Sequence, residues 1–277
     1  MADTCNGQPI LMAIRPDQSE EKGHSSETVN GQDNGYTNGY TNGSGTLKAQ
    51  PRILTVSQVP YPPFQQLANP GPLGLLGFAL TTFVLGLYKC GAGLPGSNPR
   101  GTVGPDQAIF GLALFMGGLA QLIAGIMEFR VGNTFGTTVH CSYSAFWMSY
   151  AMFSIPGLGI HAAYDGDERA FTFAVGIYLI GWCLLTCLFL AAALRTNITI
   201  IVVFSLLALA FLFLAVADFI ATSHPGPAIR VNQVGGAVSV ACSIAAFYAG
   251  AAGLMRPETT FIRFPLGTIP HSDSFSV

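Results

Sequence analysis

Six stretches of about twenty residues, each nearly free of charge, follow one another between residues 72 and 254. They run from about Pro72 to Tyr88, Gln107 to Met127, Phe135 to Ile155, Ala170 to Leu194, Ile198 to Phe219 and Asn232 to Leu254. About 20 apolar residues are what a helix needs to cross about 30 Å of hydrocarbon. In lipid the backbone must satisfy its own hydrogen bonds, which leaves helices or closed barrels. The runs lack the strict alternation of a barrel strand, so helices are expected. Charge supports this: only 9% of the chain is charged, against about 25% in a soluble domain. Ten of those charges lie within the first 52 residues, leaving too few to cover a water-facing surface further on. The expectation is an all-α membrane protein with six transmembrane helices, an integral, multi-pass chain.

The flanks read differently. Residues 1–68 are polar and repetitive, with NGYTNGYTNG around Tyr36 and Tyr40, and too poor in apolar residues to fold alone. They are expected to form a disordered N-terminal tail, either regulatory or simply tolerated. Residues 69–255 form the expected transmembrane domain and 256–277 a short C-terminal tail. Ile10–Ile14 is too short for a signal-peptide core, so insertion is expected to begin internally. The connections, at GAGLPG (Gly91–Gly96), DGDE (Asp165–Glu168) and HPGP (His224–Pro227), are short, which implies up-and-down neighbours. GAGLPG fits a dinucleotide fingerprint only formally, because it opens no βαβ unit. Lys and Arg counts favour both termini in the cytosol, with eight on the segments that would be inside and four outside. The sequons at Asn42 and Asn197 would then face away from glycosylation.

Several function classes drop out. A net charge of −2 gives no electrostatic footprint for nucleic acid. Cys183 and Cys187 are one helical turn apart, but no nearby ligand completes a metal site, so no metal or cofactor is expected. There is no nucleophile–base pair or phosphate loop in plausible context, which argues against an enzyme.

What remains is the polar content of the spans, where every polar group is costly. Glu128 ends the second run beside Arg130, as an interfacial ion pair or a functional acid. His140 opens the third and most polar run, with Ser142, Tyr143, Ser144, Ser149 and Tyr150 following. One face of that helix is expected to line a wet path or a helix interface, and His140 reads as a packing histidine or a proton relay. Asp218 sits late in the fifth run, within reach of the headgroups. Asn69, followed by Pro70-Gly71-Pro72, can cap a helix whose N–H end is able to hold an anion. Ala237, Ala241, Ala245, Ala249 and Gly253 recur every four residues in the sixth run, a seam for close helix approach within or between subunits, or ordinary alanine-rich helix.

NPGPLGLLGFALTT (Asn69–Thr82) resembles the NPAPLGL signature of the acetate uptake transporters, the family of bacterial succinate–acetate permeases and fungal acetate/ammonia transporter-like proteins. GLAQLIAGIMEFRVGNTFGTT (Gly118–Thr138), CSYSAFW (Cys141–Trp147) and FSLL (Phe204–Leu207) resemble its later blocks, in family order. The resemblance implies six-helix protomers in a homo-hexamer at the plasma membrane. It implies acetate or other short carboxylates as cargo, coupled to protons or moving as the undissociated acid. It places a hydrophobic constriction at Phe78, Tyr143 and Leu206, and substrate contacts at Asn69, Thr81, Gln121, Asn133, Thr134 and Ser142. Glu128 matches an acidic position of the family, and with His140 makes the proton-coupling candidates. Gly71, Ser144, His140 and Cys141 depart from the family pattern. A channel-like facilitator for the acid anion or ammonia, and a membrane carbon-source sensor, are the competing readings.

Overall fold

The computed structural model describes residues 67–92 and 105–269, and all but the last two residues of the expected N-terminal tail, 1–68, lie outside them. The described residues belong to one unit, Pro62–Val277. Six long helices account for most of them: α1 (Gly71–Cys90), α2 (Ile109–Arg130), α3 (Thr134–Met152), α4 (Glu168–Ala193), α5 (Ile198–Phe219) and α6 (Pro225–Leu254). Five are long and apolar enough to cross a membrane. The exception is α3, the polar run, whose serines, threonines, tyrosines and histidine lower its hydropathy.

Helix ends follow from local chemistry. Asn69 Oδ1 accepts the Gly71 N–H at the start of α1 (3.1 Å). Asn133 Oδ1 accepts from Gly136 N–H in α3 (3.0 Å), and Asn197 Oδ1 from Ile200 N–H in α5 (2.9 Å). Each occupies backbone donors that a helix start leaves free. These asparagines fall at equal intervals along the chain, one before each odd-numbered helix. The sequon residue Asn197 is thus a helix cap. Two further N–H groups of α5 are taken by the C-terminal segment: Ile198 donates to the Gly267 carbonyl (2.9 Å) and Thr199 to that of Leu266 (3.3 Å). The same segment is pinned to α6 by Tyr248, whose hydroxyl donates to the Pro265 carbonyl (2.9 Å). HPGP is no connection. Pro225 opens α6, because proline in a first helical turn forfeits no hydrogen bond, so α6 starts seven residues before the expected Asn232.

The helices pack in chain order around a ring: α1 on α2, α2 on α3, α4 on α5, α5 on α6 and α6 back on α1. Large side chains join α3 to α4, with the Tyr178 ring 6.1 Å from Phe146 and its hydroxyl 2.7 Å from Ser149 Oγ. α2 carries a π-helical stretch, Ala113–Ala120, whose shifted register frees carbonyls from the ladder. Ser144, on α3, donates to the Gly118 carbonyl there (2.9 Å).

The tightest seam joins α1 to α6. A Cβ on Gly236 would lie 2.5 Å from the Cys90 nitrogen and 2.8 Å from the Gly86 carbonyl oxygen. Lipid gives helices no hydrophobic reason to associate, so such backbone contact supplies the packing energy. The buried face of α6 runs through Gly235, Gly236, Ser239, Cys242, Ser243, Ala246, Ala249 and Gly250. The four-residue stripe expected as a seam is only partly on it: Ala249 is buried, but Ala237 and Ala241 are exposed. Gly236→Ala is therefore expected to lower the thermal unfolding midpoint of the purified protein by several degrees, since overpacking against backbone costs about 1–3 kcal/mol. Ala237→Val on the exposed edge should leave it within about a degree, and equal effects would contradict this seam.

Candidate functional site

α1, α3 and α5 run in the same direction, and two cavities are lined by side chains on their facing surfaces. Phe78, Tyr143 and Leu207 are buried near the middle of these three helices. The ring of Tyr143 lies 5.6 Å from Phe78, 6.4 Å from Phe204, 5.8 Å from Phe189 and 6.3 Å from Trp182. Its hydroxyl is 2.9 Å from Thr186 Oγ1, and Thr186 in turn donates to the Trp182 carbonyl (2.7 Å). With the threonine proton spent, the tyrosine is the donor. The polar end of Tyr143 is thus turned to α4, leaving its ring as the surface between α1 and α5.

A small cavity lies on each side of this layer. The first, about 20 Å³, is lined on α1 by Leu75 and Phe78, on α3 by Val139, His140 and Tyr143, and on α5 by Val203, Phe204 and Leu207, with Gln121 reaching in from α2. The second, about 30 Å³, takes up where the first stops: Phe78, Thr82 and Leu85, then Phe146 and Trp147, then Leu207, Ala210 and Leu214. Phe78 and Leu207 belong to both walls. The two cavities therefore stack along the helix axes, one toward the N-terminal ends of the odd helices and one toward their C-terminal ends. Leu206 was expected at a constriction, and its neighbour Leu207 is the leucine that lines both cavities. Leu206 is half-buried and lines neither cavity.

Both cavities are apolar with a few buried polar atoms that lack a partner among the described residues. These are Gln121 Oε1 and His140 Nδ1 on the first, and Thr82 Oγ1 and Trp147 Nε1 on the second. A buried polar group left unpaired costs about 1–3 kcal/mol, so such groups concentrate where a ligand or water completes them. The His140 ring lies flat on the α1 backbone, where a Cβ at Gly74 would be 2.5 Å from Nδ1. Only glycine permits that approach.

The other expected contacts lie elsewhere. Thr81 is buried, but its hydroxyl donates to the Gly77 carbonyl of its own helix (2.9 Å). Asn69, Asn133 and Thr134 are exposed at the starts of α1 and α3, and Ser142 is half-buried. Asn133 lies against Glu128, which is 4% exposed. Its Oε2 accepts from Asn133 Nδ2 (2.7 Å), and its carboxylate sits beside Gly71 and Gly136, in the first turns of α1 and α3. Two helix N-termini favour a negative charge there, and among the described residues no cation pairs with this acid. Arg130, the partner considered from sequence, is exposed and does not pair with it. The N-terminal mouth, the layer and the two cavities thus follow one line between α1, α3 and α5. Thr82 and Trp147 were not singled out from sequence, although they lie four residues beyond Phe78 and Tyr143 and hence on the same helix faces.

The chain is similar to several known proteins. The chain is 38% identical over 211 residues to the ammonia transport outward protein 2 of Saccharomyces cerevisiae, an alignment covering 76% of this chain and 70% of that one. It is 37% identical over 212 residues to acetate permease A of Emericella nidulans, covering 75% and 68%. A solved structure of the bacterial acetate channel SatP superposes with a TM-score of 0.57 at 27% identity, over 73% of this chain and all of that one. Residues 53–271 match the GPR1/FUN34/yaaH family, and the chain, an integral multi-pass membrane protein, belongs to that family.

Proposed function

We propose that this protein carries acetate and related short-chain carboxylates across a membrane, along the line of cavities between α1, α3 and α5. The observation that carries this reading is the stacking of two small cavities on either side of Phe78, Tyr143 and Leu207. An apolar layer obstructs hydrated ions, while isolated polar atoms on each side bind a small polar solute weakly enough to release it. The names of the relatives, an acetate permease and an acetate channel, support the cargo. In this reading α3 also crosses the membrane, with its polar face turned inward on the path and its neighbours.

Cargo enters at the mouth formed by Asn69, Asn133 and Thr134, where helix N–H ends attract a carboxylate without lysine or arginine. Gln121 and His140 receive it below the layer as the undissociated acid, whose O–H the Gln121 oxygen accepts. Proton coupling runs through Glu128 at the mouth and His140 beside the first cavity. Both termini are cytosolic, the membrane is the plasma membrane, and the protomers assemble as a homo-hexamer. The exposed small-residue edge at Ala237 and Ala241 suits a seam between copies. The second reading is a channel-like facilitator for the anion or for ammonia, favoured by the channel named among solved structures and the ammonia transport relative.

Reconstituted protein with an inward proton gradient is expected to accumulate labelled acetate above its equilibrium level, and to stop at equilibrium once the gradient is collapsed. Uptake that only equilibrates under both conditions would establish the facilitator instead. Leu207→Ala is expected to widen the layer and raise uptake of three- and four-carbon acids relative to acetate several-fold, whereas Leu206→Ala leaves the ratio unchanged. The reverse pattern would place the path on the other side of α5.

A further inference from the structure

The segment that follows α6 folds back on the bundle. It turns at Arg256, whose carbonyl accepts the Thr259 and Thr260 N–H groups (both 3.0 Å). Phe264 then packs edge-on against Tyr248 of α6, with ring centroids 5.0 Å apart, and the Tyr248 hydroxyl holds the Pro265 carbonyl. Beyond that point the Leu266 carbonyl also accepts from Thr199 Oγ1 (3.0 Å), beside the two N–H groups of α5 already bound here. Gly267 has a φ of +68°, and a Cβ on it would lie within 3.3 Å of the Ile198 side chain. Residues 255–268 are therefore a strap, fixed to α6 at one end and to the first turn of α5 at the other.

Between these fixings the strap turns its middle outward. Phe261 is fully exposed and Ile262 is 57% exposed. Arg256 and Arg263 flank them and are exposed as well. Arg195, exposed beside the exposed Leu194, stands just before the α5 turn that the strap caps. Among the described residues none of these three arginines has an acidic partner, and Glu258, the acid of the strap, pairs with none of them.

Depth identifies what covers such a surface. Tyr248 lies six residues before the end of α6, about 9 Å along its axis. α6 is long and apolar enough to span a membrane, so the strap lies level with its last turns, where hydrocarbon gives way to headgroups. Apolar side chains at such a boundary sink about 5–10 Å into it, and arginines beside them reach lipid phosphates. Unpaired cations interleaved with bare apolar side chains match a negatively charged lipid surface, and the two apolar neighbours form no groove for a protein chain.

We infer that the strap is a docking element for anionic phospholipid, with Phe261 and Ile262 entering the headgroup–acyl boundary and Arg195, Arg256 and Arg263 holding the lipid phosphates. Its carbonyls end on α5, the helix that brings Leu207 to both cavities, so lipid bound at the strap steadies the start of that helix.

Full-length protein in nanodiscs of phosphatidylcholine, with or without an equal part of phosphatidylserine, gives two independent readouts. A spin label on Phe261→Cys, in a background whose accessible cysteines have been replaced, should collide with oxygen in preference to a water-soluble nickel chelate. Phosphatidylserine should slow amide exchange at Ile198 and Thr199 about tenfold, because those amides open only when the strap lifts. Replacing Arg195, Arg256 and Arg263 together by Gln should abolish most of that slowing. In the unmodified protein, high salt should weaken it as well, so the prediction does not depend on the variant folding. A label as open to the nickel chelate as one in water, or exchange indifferent to phosphatidylserine, would overturn the proposal. So would dipolar broadening between labels, which would assign Phe261 to a contact with a second copy of the chain.

Discussion

Tyr143 donates its hydroxyl proton to Thr186, and the position of that one ring sets the geometry of everything around it. A buried tyrosine must place its O–H on a partner, and here the partner is on α4, away from the facing surfaces of α1 and α5. The ring then meets Phe78 from α1, Phe204 from α5, and Phe189 and Trp182 from α4. Four helices are thereby held around one aromatic side chain. With the hydroxyl turned away, the layer presents carbon to anything between the cavities. Rotating Tyr143 out would expose the two cavities to each other and leave Thr186 Oγ1 without its donor.

Around that centre, close backbone approach does what hydrophobic burial does in water. α1 meets α6 where Gly236 lies against Cys90 and Gly86, and meets the His140 imidazole at Gly74. The π-helical stretch of α2 is stabilised from outside by the Ser144 hydroxyl. Polar side chains in this bundle are therefore of two kinds. Thr81, Ser144, Ser149 and Thr186 spend their hydrogen bonds on structure. Thr82, Gln121, Thr137, His140 and Trp147 each keep an atom unspent, and all but Thr137 line the cavities.

The helices were legible in the sequence because hydrocarbon thickness dictates their length. α5 begins and ends where its apolar run does, at Ile198 and Phe219. The start of α6 was not, because HPGP looks like a turn although proline is at home in a first helical turn. Face assignment was the harder problem. One residue along a helix is a rotation of about 100°, which is the whole difference between Leu206 and Leu207, and between the exposed Ala237 and the buried Gly236. Composition has no information at that resolution. Glu128 illustrates a different gap: its partner Asn133 lies across the turn into α3, so proximity in sequence pointed to Arg130 instead. Thr82 and Trp147 were within reach, since helical periodicity carries Phe78 to one and Tyr143 to the other.

The central claim is that one path runs between α1, α3 and α5 and is divided by a single apolar layer. Its most direct test is the side from which each cavity can be reached. Val203→Cys places a thiol on the first cavity and Leu214→Cys on the second, in a background whose accessible cysteines have been replaced. A small membrane-impermeant thiol reagent applied to sealed vesicles should label Val203→Cys only from the side of the α1 N-terminus, and Leu214→Cys only from the opposite side. Acetate should slow both reactions. Labelling of both positions from the same side would contradict the account.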